Sequence, residues 1–356
     1  MNSTAAVIVT YNRKALLKEC LLALLSQTTA CDILVIDNHS TDGTAAAVED
    51  IIKDKSSNER RITYIDTGAN LGGAGGFSYG IKEAAQRGYE YIWIMDDDCV
   101  PEPDALEELF SAAAKLEKDS QGSPDSLKQA EQQKNVAYKD ETNYGSSPES
   151  AEAIGQKSDG SCRETTTKPA FGFLASKVLW TDGTLCKTNI QRYPMAKRVT
   201  DFDSELVRVN YSSFVSMFFK SDIVRELGLP IKEFFIWSDD LEYTRRISMK
   251  YPCWLCNKSV VVHKCKGNYG INIAVELPER VDRYRYIYRN DVYVFRKEGL
   301  KGIAYVVVRD IYRVFKVLLF AKSGKLSKIK TIIGGTLSGI AFNPAIERVL
   351  TENDNA

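Results

Sequence analysis

The chain has 356 residues, enough to bury the core of one large α/β domain with an appendage, or of two domains. Lysine plus arginine match aspartate plus glutamate at 47 each, so net charge gives no argument for a nucleic acid or an acidic partner. Eight cysteines lack paired metal spacing, Cys253 and Cys256 forming a lone C-x-x-C, and residues 1–6 carry no basic, cleavable leader; the expectation is a cytosolic protein with reduced thiols rather than a secreted disulfide framework.

Residues 6–9 and 33–36 read as strands around an amphipathic helix over 14–26, a βαβ start. Thr41-Asp-Gly-Thr supplies a turn and cap, followed by a helix over 45–53, a strand over 62–65 and a helix over 77–88. The fold class that follows is α/β, a mostly parallel sheet flanked by helices. Between about residues 118 and 168 the composition turns to Ser, Gln, Glu, Lys and Gly with few large apolar residues, which predicts a flexible insertion. Ordered sequence resumes at Phe171 and continues through residues 207–219.

Tyr91-Ile-Trp-Ile-Met-Asp-Asp-Asp-Cys-Val-Pro is an apolar run that ends in three consecutive carboxylates. Such a run reads as a buried parallel strand, and in open α/β sheets ligands bind beyond the carboxyl ends of the strands. Alternation along an extended chain lets Asp96 and Asp98 point the same way and share one hard divalent cation. A plain polar turn before Pro101 and Pro103 would need only one carboxylate. Upstream, Asn70-Leu-Gly-Gly-Ala-Gly-Gly-Phe matches neither a Walker A loop nor strict G-x-G-x-x-G spacing, although its glycines permit a phosphate to approach the backbone at a helix start.

A second acidic cluster lies in Phe234-Phe-Ile-Trp-Ser-Asp-Asp-Leu-Glu. Asp239 with Glu242 three residues on resembles a capping box, yet two adjacent carboxylates exceed what a cap needs, and one of them could serve as a general base for a hydroxyl. Trp237 offers a flat face for a sugar ring, or simply packs. His263 ends the run Val260-Val-Val-His; with two carboxylates it completes the mixed N/O set that suits manganese-like ions, whereas a lone histidine is more often structural. From residue 277 onward, basic residues interrupt every apolar run, so no stretch reaches the roughly 20 apolar residues that span a bilayer. Arg309, Arg313 and Lys316 recur at helical spacing beside Val306, Val307, Phe315 and Leu319, which predicts either a basic amphipathic face on an anionic membrane or helices that pack on the catalytic domain or a second subunit.

Taken together these segments resemble the family 2 inverting glycosyltransferases of the GT-A fold, within them the galactofuranosyltransferase and rhamnosyltransferase group. The resemblance covers residues 6–266 and rests on Val9-Thr-Tyr-Asn-Arg, Val35-Ile-Asp-Asn-His-Ser-Thr-Asp-Gly-Thr, the glycine segment, Met95-Asp-Asp-Asp and Trp237-Ser-Asp-Asp-Leu-Glu, in the family's order. It implies a Rossmann-like nucleotide-binding catalytic domain over 1–276 and a C-terminal helical region over 277–356 for membrane association or oligomerisation. It also implies a nucleotide-sugar pocket at Thr10, Tyr11, Asn12, Arg13, Asp37, Asn70, Gly73, Asp96 and Asp97, Mn2+ or Mg2+ on Asp96, Asp98 and His263, an acceptor site at Trp237 and Asp239, and Asp240 as catalytic base. The implied donor is UDP-galactofuranose or dTDP-rhamnose, the acceptor a glycan or lipid-linked hydroxyl, and the location the cytoplasmic membrane face. Asn38 departs from the family, where many members have a second aspartate. A binding protein that kept the fold and lost catalysis is the alternative of another class, which the intact carboxylate clusters disfavour. A sugar nucleotidylyltransferase would need an N-terminal glycine-rich loop with Arg and Lys that is absent.

Overall fold

The computed structural model describes residues 3–54, 62–121, 169–194 and 197–349. Strands β1 (Thr4–Thr10), β2 (Asp32–Asp37), β3 (Ile62–Asp66) and β4 (Tyr91–Asp96) pair in parallel in the order β3-β2-β1-β4. Helices α1 (Lys14–Leu25), α2 (Thr44–Asp54) and α3 (Gly72–Gln86) make the crossovers. Ala5, Val7 and Val9 share one core with Phe77 and Ile81 of α3, while Ala6 and Ile8 share the other with Leu17 and Leu21 of α1 and with Leu106 and Leu109 of α4 (Ala105–Gln121). Burial on both faces explains why β1 is apolar along its whole middle rather than alternating. Helix α4 runs through residues 118–121, the start of the predicted flexible insertion; the rest of that insertion, residues 122–168, lies outside the described residues.

The expected parallel sheet spans these four strands and becomes mixed beyond β4. Strand β8 (Met217–Lys220) runs antiparallel to both β4 and β6 (Leu174–Trp180), and β6 runs parallel to the long β9 (Cys253–His263). Strands β7 (Leu206–Val209) and β5 (Cys99–Pro101) pair antiparallel with β9. Because β5 follows the three aspartates directly, its pairing sets Cys99 opposite His263, and the backbone N–H of Lys264 donates to the Asp98 carbonyl at 2.8 Å. Residues 164 positions apart in sequence are thereby brought to one sheet edge. Seven cysteines among the described residues are free thiols, six of them buried.

Helices α5 (Ser221–Leu227) and α6 (Asp239–Ser248) complete the region before β9, and α7 (Tyr284–Arg296), α8 (Gly299–Phe320) and α9 (Lys325–Ala341) end the chain. Phe234, Tyr293, Phe295 and Val306 form one small core there, and Tyr284, Tyr288, Val317 and Ile332 another. Arg309 and Arg313, expected to reach lipid headgroups, turn inward instead. Arg309 Nη2 lies 2.6 Å and Arg313 Nη1 3.3 Å from Asp291 Oδ2, with the Arg309 guanidinium against the rings of Phe295 and Tyr305. The reason is electrostatic: the buried Asp291 carboxylate requires cationic partners more than a surface does. What α8 does present outward is an apolar stripe of Val307, Val308, Ile311, Tyr312, Phe315 and Leu319, whereas Val306 is buried. Among the described residues no helix is long and apolar enough to cross a membrane.

Helix α3 begins at Gly72, five residues before the predicted start at Phe77, so most of the glycine segment is helical rather than loop. Its glycines serve close packing on the sheet. A Cβ on Gly76 would stand 2.5 Å from Val9 Cγ1, and one on Gly80 would stand 2.4 Å from Val7 Cγ1 and 2.7 Å from Ile36 Cγ1. Helix propensity alone would disfavour these residues, but no larger side chain fits where α3 meets β1 and β2. Gly80→Ala should therefore destabilise the protein by about 1–3 kcal/mol through overpacking. Gly73→Ala, where a Cβ meets nothing within 4 Å, should be neutral or stabilise by up to about 1 kcal/mol. Urea unfolding of the two variants checks the contrast; equal midpoints would mean that α3 can lift off the sheet at no cost.

Candidate active site

Three carboxylates leave the end of β4 in three different environments. Asp97 is buried; its Oδ2 accepts from Thr10 Oγ1 at 2.7 Å and its Oδ1 from Arg13 Nη1 at 3.2 Å. Asp98 Oδ2 accepts from the same Arg13 nitrogen at 2.7 Å, and Asp98 Oδ1 stands 3.1 Å from His263 Nε2. Burial raises the pKa of Asp98, but His263 and Arg13 outweigh it and hold the group below the usual carboxylate range. For His263, burial favours the neutral ring, yet the contact with Asp98, aided by Cys186 and Cys265, pushes its pKa up to about 12. Asp96 has no comparable partner, and burial together with the negative charges of Asp98 and Asp97 pushes it up to about 7. Asp97 is raised to about 6, by burial against the pull of Arg13.

His263 is oriented from behind. Its Nδ1 lies 2.8 Å from Asn189 Oδ1, and Asn189 Nδ2 in turn donates to Ser213 Oγ at 2.9 Å, which identifies Oδ1 as the acceptor. Nδ1 therefore donates to Asn189, and the ring presents Nε2 to Asp98. That arrangement is the outer-shell support typical of a metal-ligating histidine.

The second cluster faces the first. Asp239 and Asp240 open α6, and Asp239 lies close enough to Asp96 for that charge, after burial and Asp240, to raise its pKa well above the carboxylate range. Asp240 Oδ1 accepts from the Leu241 backbone N–H at 2.7 Å. Burial raises Asp240 to about 6 against the favourable charge of Arg192, while Asp291 adds to the rise. The approach to these acids is an irregular turn: Phe235, Trp237 and Ser238 have φ of 62°, 66° and 65°, a conformation that L-residues other than glycine rarely adopt. The Trp237 ring packs against Tyr284 at 5.1 Å between centroids, with the Arg283 guanidinium 4.8 Å away, so much of its apolar surface is already in use.

The remaining sequence-predicted residues gather at the mouth of β1, β2 and α3. Asp37 is fully buried; its Oδ1 accepts from the Ser40 N–H at 2.9 Å and from Ser40 Oγ at 2.6 Å, and its Oδ2 from Tyr64 OH at 2.6 Å. Its role in this arrangement is to hold the turn after β2. Asn12, at φ 53°, donates from its backbone to Ser40 Oγ and accepts from the Thr41 N–H, tying the turns after β1 and β2 together. Tyr11 is exposed above them, Asn70 Oδ1 accepts from the Gly72 N–H at 2.9 Å, and Gly73 borders open space. Asn38 donates from Nδ2 to the Gly72 carbonyl at 3.0 Å, a bond that the aspartate of many family members could not make when ionised.

Residues 5–158 match the family model described as "Glycosyl transferase family 2", the segment that builds β1 to β4 and the triple aspartate. The chain is similar to this family over that segment, which is less than half of its length. It is 23% identical over 308 residues to galactofuranosyltransferase GlfT1 of Mycolicibacterium smegmatis, covering 84% of each chain, and 25% identical over 311 residues to GlfT1 of Mycobacterium tuberculosis, covering 85% of this chain and 84% of that one. In fold it resembles the crystal structure of S. aureus TarS 1-349, with a TM-score of 0.53 and 13% identity over 95% of this chain and 81% of that one. GalNAc-T7, crystallised with UDP, GalNAc and Mn2+, is similar at a TM-score of 0.55 and 13% identity over 93% of this chain and 54% of that one. The protein is a glycosyltransferase with the GT-A fold.

Sequence reading did not find Asn189, Arg192 or Ser213. They sit in irregular chain between β6 and β8, where no periodicity marks a polar residue as inward-facing. Asp96, Asp97 and Asp240 keep their protons to about 7, 6 and 6, above the roughly 3.9 of an unfolded aspartate. The folded protein thus binds more protons than the unfolded chain between about pH 4 and 7, and stability is lost as pH rises through that window. Asp96→Asn should raise the thermal midpoint of the metal-free protein at neutral to mildly alkaline pH, and the gain should shrink as pH falls below the Asp96 pKa of about 7. Scanning calorimetry at several pH values checks this, and a midpoint lowered at every pH would contradict it.

Proposed function

We propose that this glycosyltransferase is metal-dependent and inverting, and that it moves galactofuranose from UDP-galactofuranose to a hydroxyl of a cell-surface glycan or lipid-linked acceptor. The observation that carries the reading is the contact of Asp98 with His263 and Arg13 beside Asp96, whose charge in turn reaches Asp239, the neighbour of Asp240. The choice of sugar is supported by the two GlfT1 relatives, whose similarity extends over most of the chain.

Part of the expected donor set fits a divalent cation: Asp98 and His263 lie within reach of one ion. Buried Asp98 Oδ1 faces only the His263 ring, at 3.1 Å, which an ion would displace as hydrogen-bond partner, and among the described residues none donates to the Asp96 carboxylate. Asp96, Asp98 and His263 would hold Mn2+ or Mg2+, which when bound supplies Lewis-acid neutralisation of the diphosphate charge. Arg13 spans Asp97 and Asp98 and is half exposed, so its free guanidinium edge can meet a donor phosphate while those two carboxylates stay in place. Asp240 takes the proton of the acceptor hydroxyl as its oxygen attacks the anomeric carbon and the bond to the nucleoside diphosphate breaks. A pKa of about 6 suits that role, since the group is ionised at neutral pH yet still basic enough to accept a proton. Asp239, held protonated by burial and by Asp240, suits a hydrogen bond to an acceptor hydroxyl.

Turnover of UDP-galactofuranose, measured beside dTDP-rhamnose and other nucleotide sugars with Mn2+, tests the reading. Asp240→Asn should lower kcat by roughly a hundred- to ten-thousandfold with UDP affinity nearly kept, and the wild-type rate should fall as pH drops below about 6. If Asp239→Asn is the crippled variant instead, the two roles are exchanged; turnover of dTDP-rhamnose alone would overturn the donor.

A peripheral position on the cytoplasmic membrane face belongs to the same proposal. It is supported by the apolar stripe of α8, in which Leu319 is 73% and Val308 66% exposed, with Lys322 exposed just beyond the helix end. Each lysine close to an anionic surface contributes on the order of 1 kcal/mol. Anionic liposomes should pellet the enzyme, and a Phe315→Glu, Leu319→Glu double variant should stay in solution. Failure of the wild type to pellet, with a concentration-dependent dimer abolished by the same variant, would make the stripe a subunit interface.

A further inference from the structure

The turn that delivers Asp239 and Asp240 is held almost entirely by side chains of α7, a helix outside the span of the family resemblance. Every backbone carbonyl from 233 to 237 has a donor. Arg289 Nη2 donates to the Glu233 carbonyl at 2.6 Å. Asn290 Nδ2 lies 3.0, 3.2 and 2.8 Å from those of Phe234, Ile236 and Trp237, its two hydrogens shared among the three acceptors. The Ala74 N–H, in the first turn of α3, donates to the Phe235 carbonyl at 3.2 Å. Ser238 Oγ then donates to Asp291 Oδ1 at 2.9 Å, and Asp291 is itself fixed through its other oxygen by Arg309 and Arg313.

Three features mark this as more than packing. The turn holds three L-residues at positive φ, a costly conformation that persists only when its surroundings over-determine it. Asn290 is fully buried, and its amide orientation is fixed, because Oδ1 accepts from Arg289 Nε at 3.0 Å and so both amide hydrogens point to the turn. The constraint also ends at the carboxylates: Ser238 is the residue before Asp239, and the charge of Asp291 is felt at Asp240.

We infer that Asn290, seconded by Asp291, is a positioning residue for glycosyl transfer, holding the 234–238 turn so that the α6 carboxylates face the acceptor hydroxyl. The inference rests on the assignment of the base to that acidic pair. It makes α7 and α8 part of the catalytic apparatus rather than only a means of attachment.

Asn290→Asp is the informative change. It keeps size and the contact with Arg289 but replaces both amide donors with an oxygen facing three carbonyls. Turnover would be read as nucleoside diphosphate release from the sugar nucleotide selected in the donor panel, UDP affinity with Mn2+ by calorimetry, and folding by thermal unfolding. The expected result is a kcat lower by about a hundredfold with donor KM and UDP affinity within about threefold of wild type. In the Asp240→Asn background the same change should add little, since a misplaced base and an absent base are one defect. Ser238→Ala, which removes a single hydrogen bond, should give a smaller kcat loss with the same non-additivity and keeps the test open if Asn290→Asp does not fold. Losses that multiply with Asp240→Asn, or a lowered thermal midpoint with unchanged kcat below it, would overturn the inference. An Asp240→Asn variant with wild-type kcat would instead overturn the base assignment, separating the two.

Discussion

Burial of carboxylates in neighbouring positions is the constraint around which this structure is arranged. Burial, with like charges adding to it, lifts Asp96, Asp97, Asp239 and Asp240 toward or beyond neutral pKa values. Asp98 alone is drawn the other way, because two cations flank it. Each neutralising group comes from a different part of the chain: Arg13 from the end of β1, His263 from the end of β9 and Arg192 from the region after β6. The sheet order exists in this sense to bring scattered cations to one acidic point. A site so balanced favours whatever further positive charge it can take, which is the electrostatic basis for expecting a divalent ion there.

The same balance explains the polar burial behind the site. A histidine that faces a carboxylate through Nε2 must dispose of Nδ1, and Asn189 receives it. Asp291, buried beneath the base turn, must be neutralised, and Arg309 and Arg313 are drawn inward to do so. This leaves α8 with Arg309 and Arg313 turned inward and an apolar stripe outside, a partial inversion of the usual amphipathic pattern. The exposed stripe is thus partly a consequence of how the active site is held.

Much of the frame was legible from residue order because local rules governed it. The strands of the parallel half and the acidic strand end followed from apolar runs and alternation, whereas the capping box expected of Asp239 and Glu242 does not form: Ser238 precedes the helix without a side-chain cap bond, and Glu242 pairs with Arg246 and Lys297. What was not legible depended on contacts between distant residues. Glycines at 72–76 look like loop until β1 is known to lie 2.5 Å from where a Cβ on Gly76 would be. Arg309 and Arg313 show helical spacing on either face of α8, and only Asp291, 18 and 22 residues away, decides which face is inside. Asn290 and Asp291 did carry a signal, an Asn-Asp pair interrupting a helix of aromatic, apolar and basic residues, where a pair of polar residues with poor helix propensity implies a buried task.

The single displacement proposed above needs the base and the departing diphosphate on opposite sides of one sugar ring, so that proposal requires the two acidic clusters to be held at a fixed separation. Helix α3 and the base turn are the parts that set it. The Phe235 carbonyl accepts from Ala74, and Gly72, at φ 71°, has no Cβ because one would fall 2.1 Å from that same carbonyl oxygen. The glycine segment is therefore in direct backbone contact with the turn that carries Asp239 and Asp240. Asn38 reaches the Gly72 carbonyl from the end of β2 and Asn290 reaches the next carbonyls of the turn from α7. One chain of backbone contacts, pinned at each end by a buried asparagine amide, thus links the turn after β2 to the proposed base. A shift of either asparagine would alter the separation of the two clusters without touching a reacting atom, and displacements of about 1 Å are enough to cost two orders of magnitude in rate.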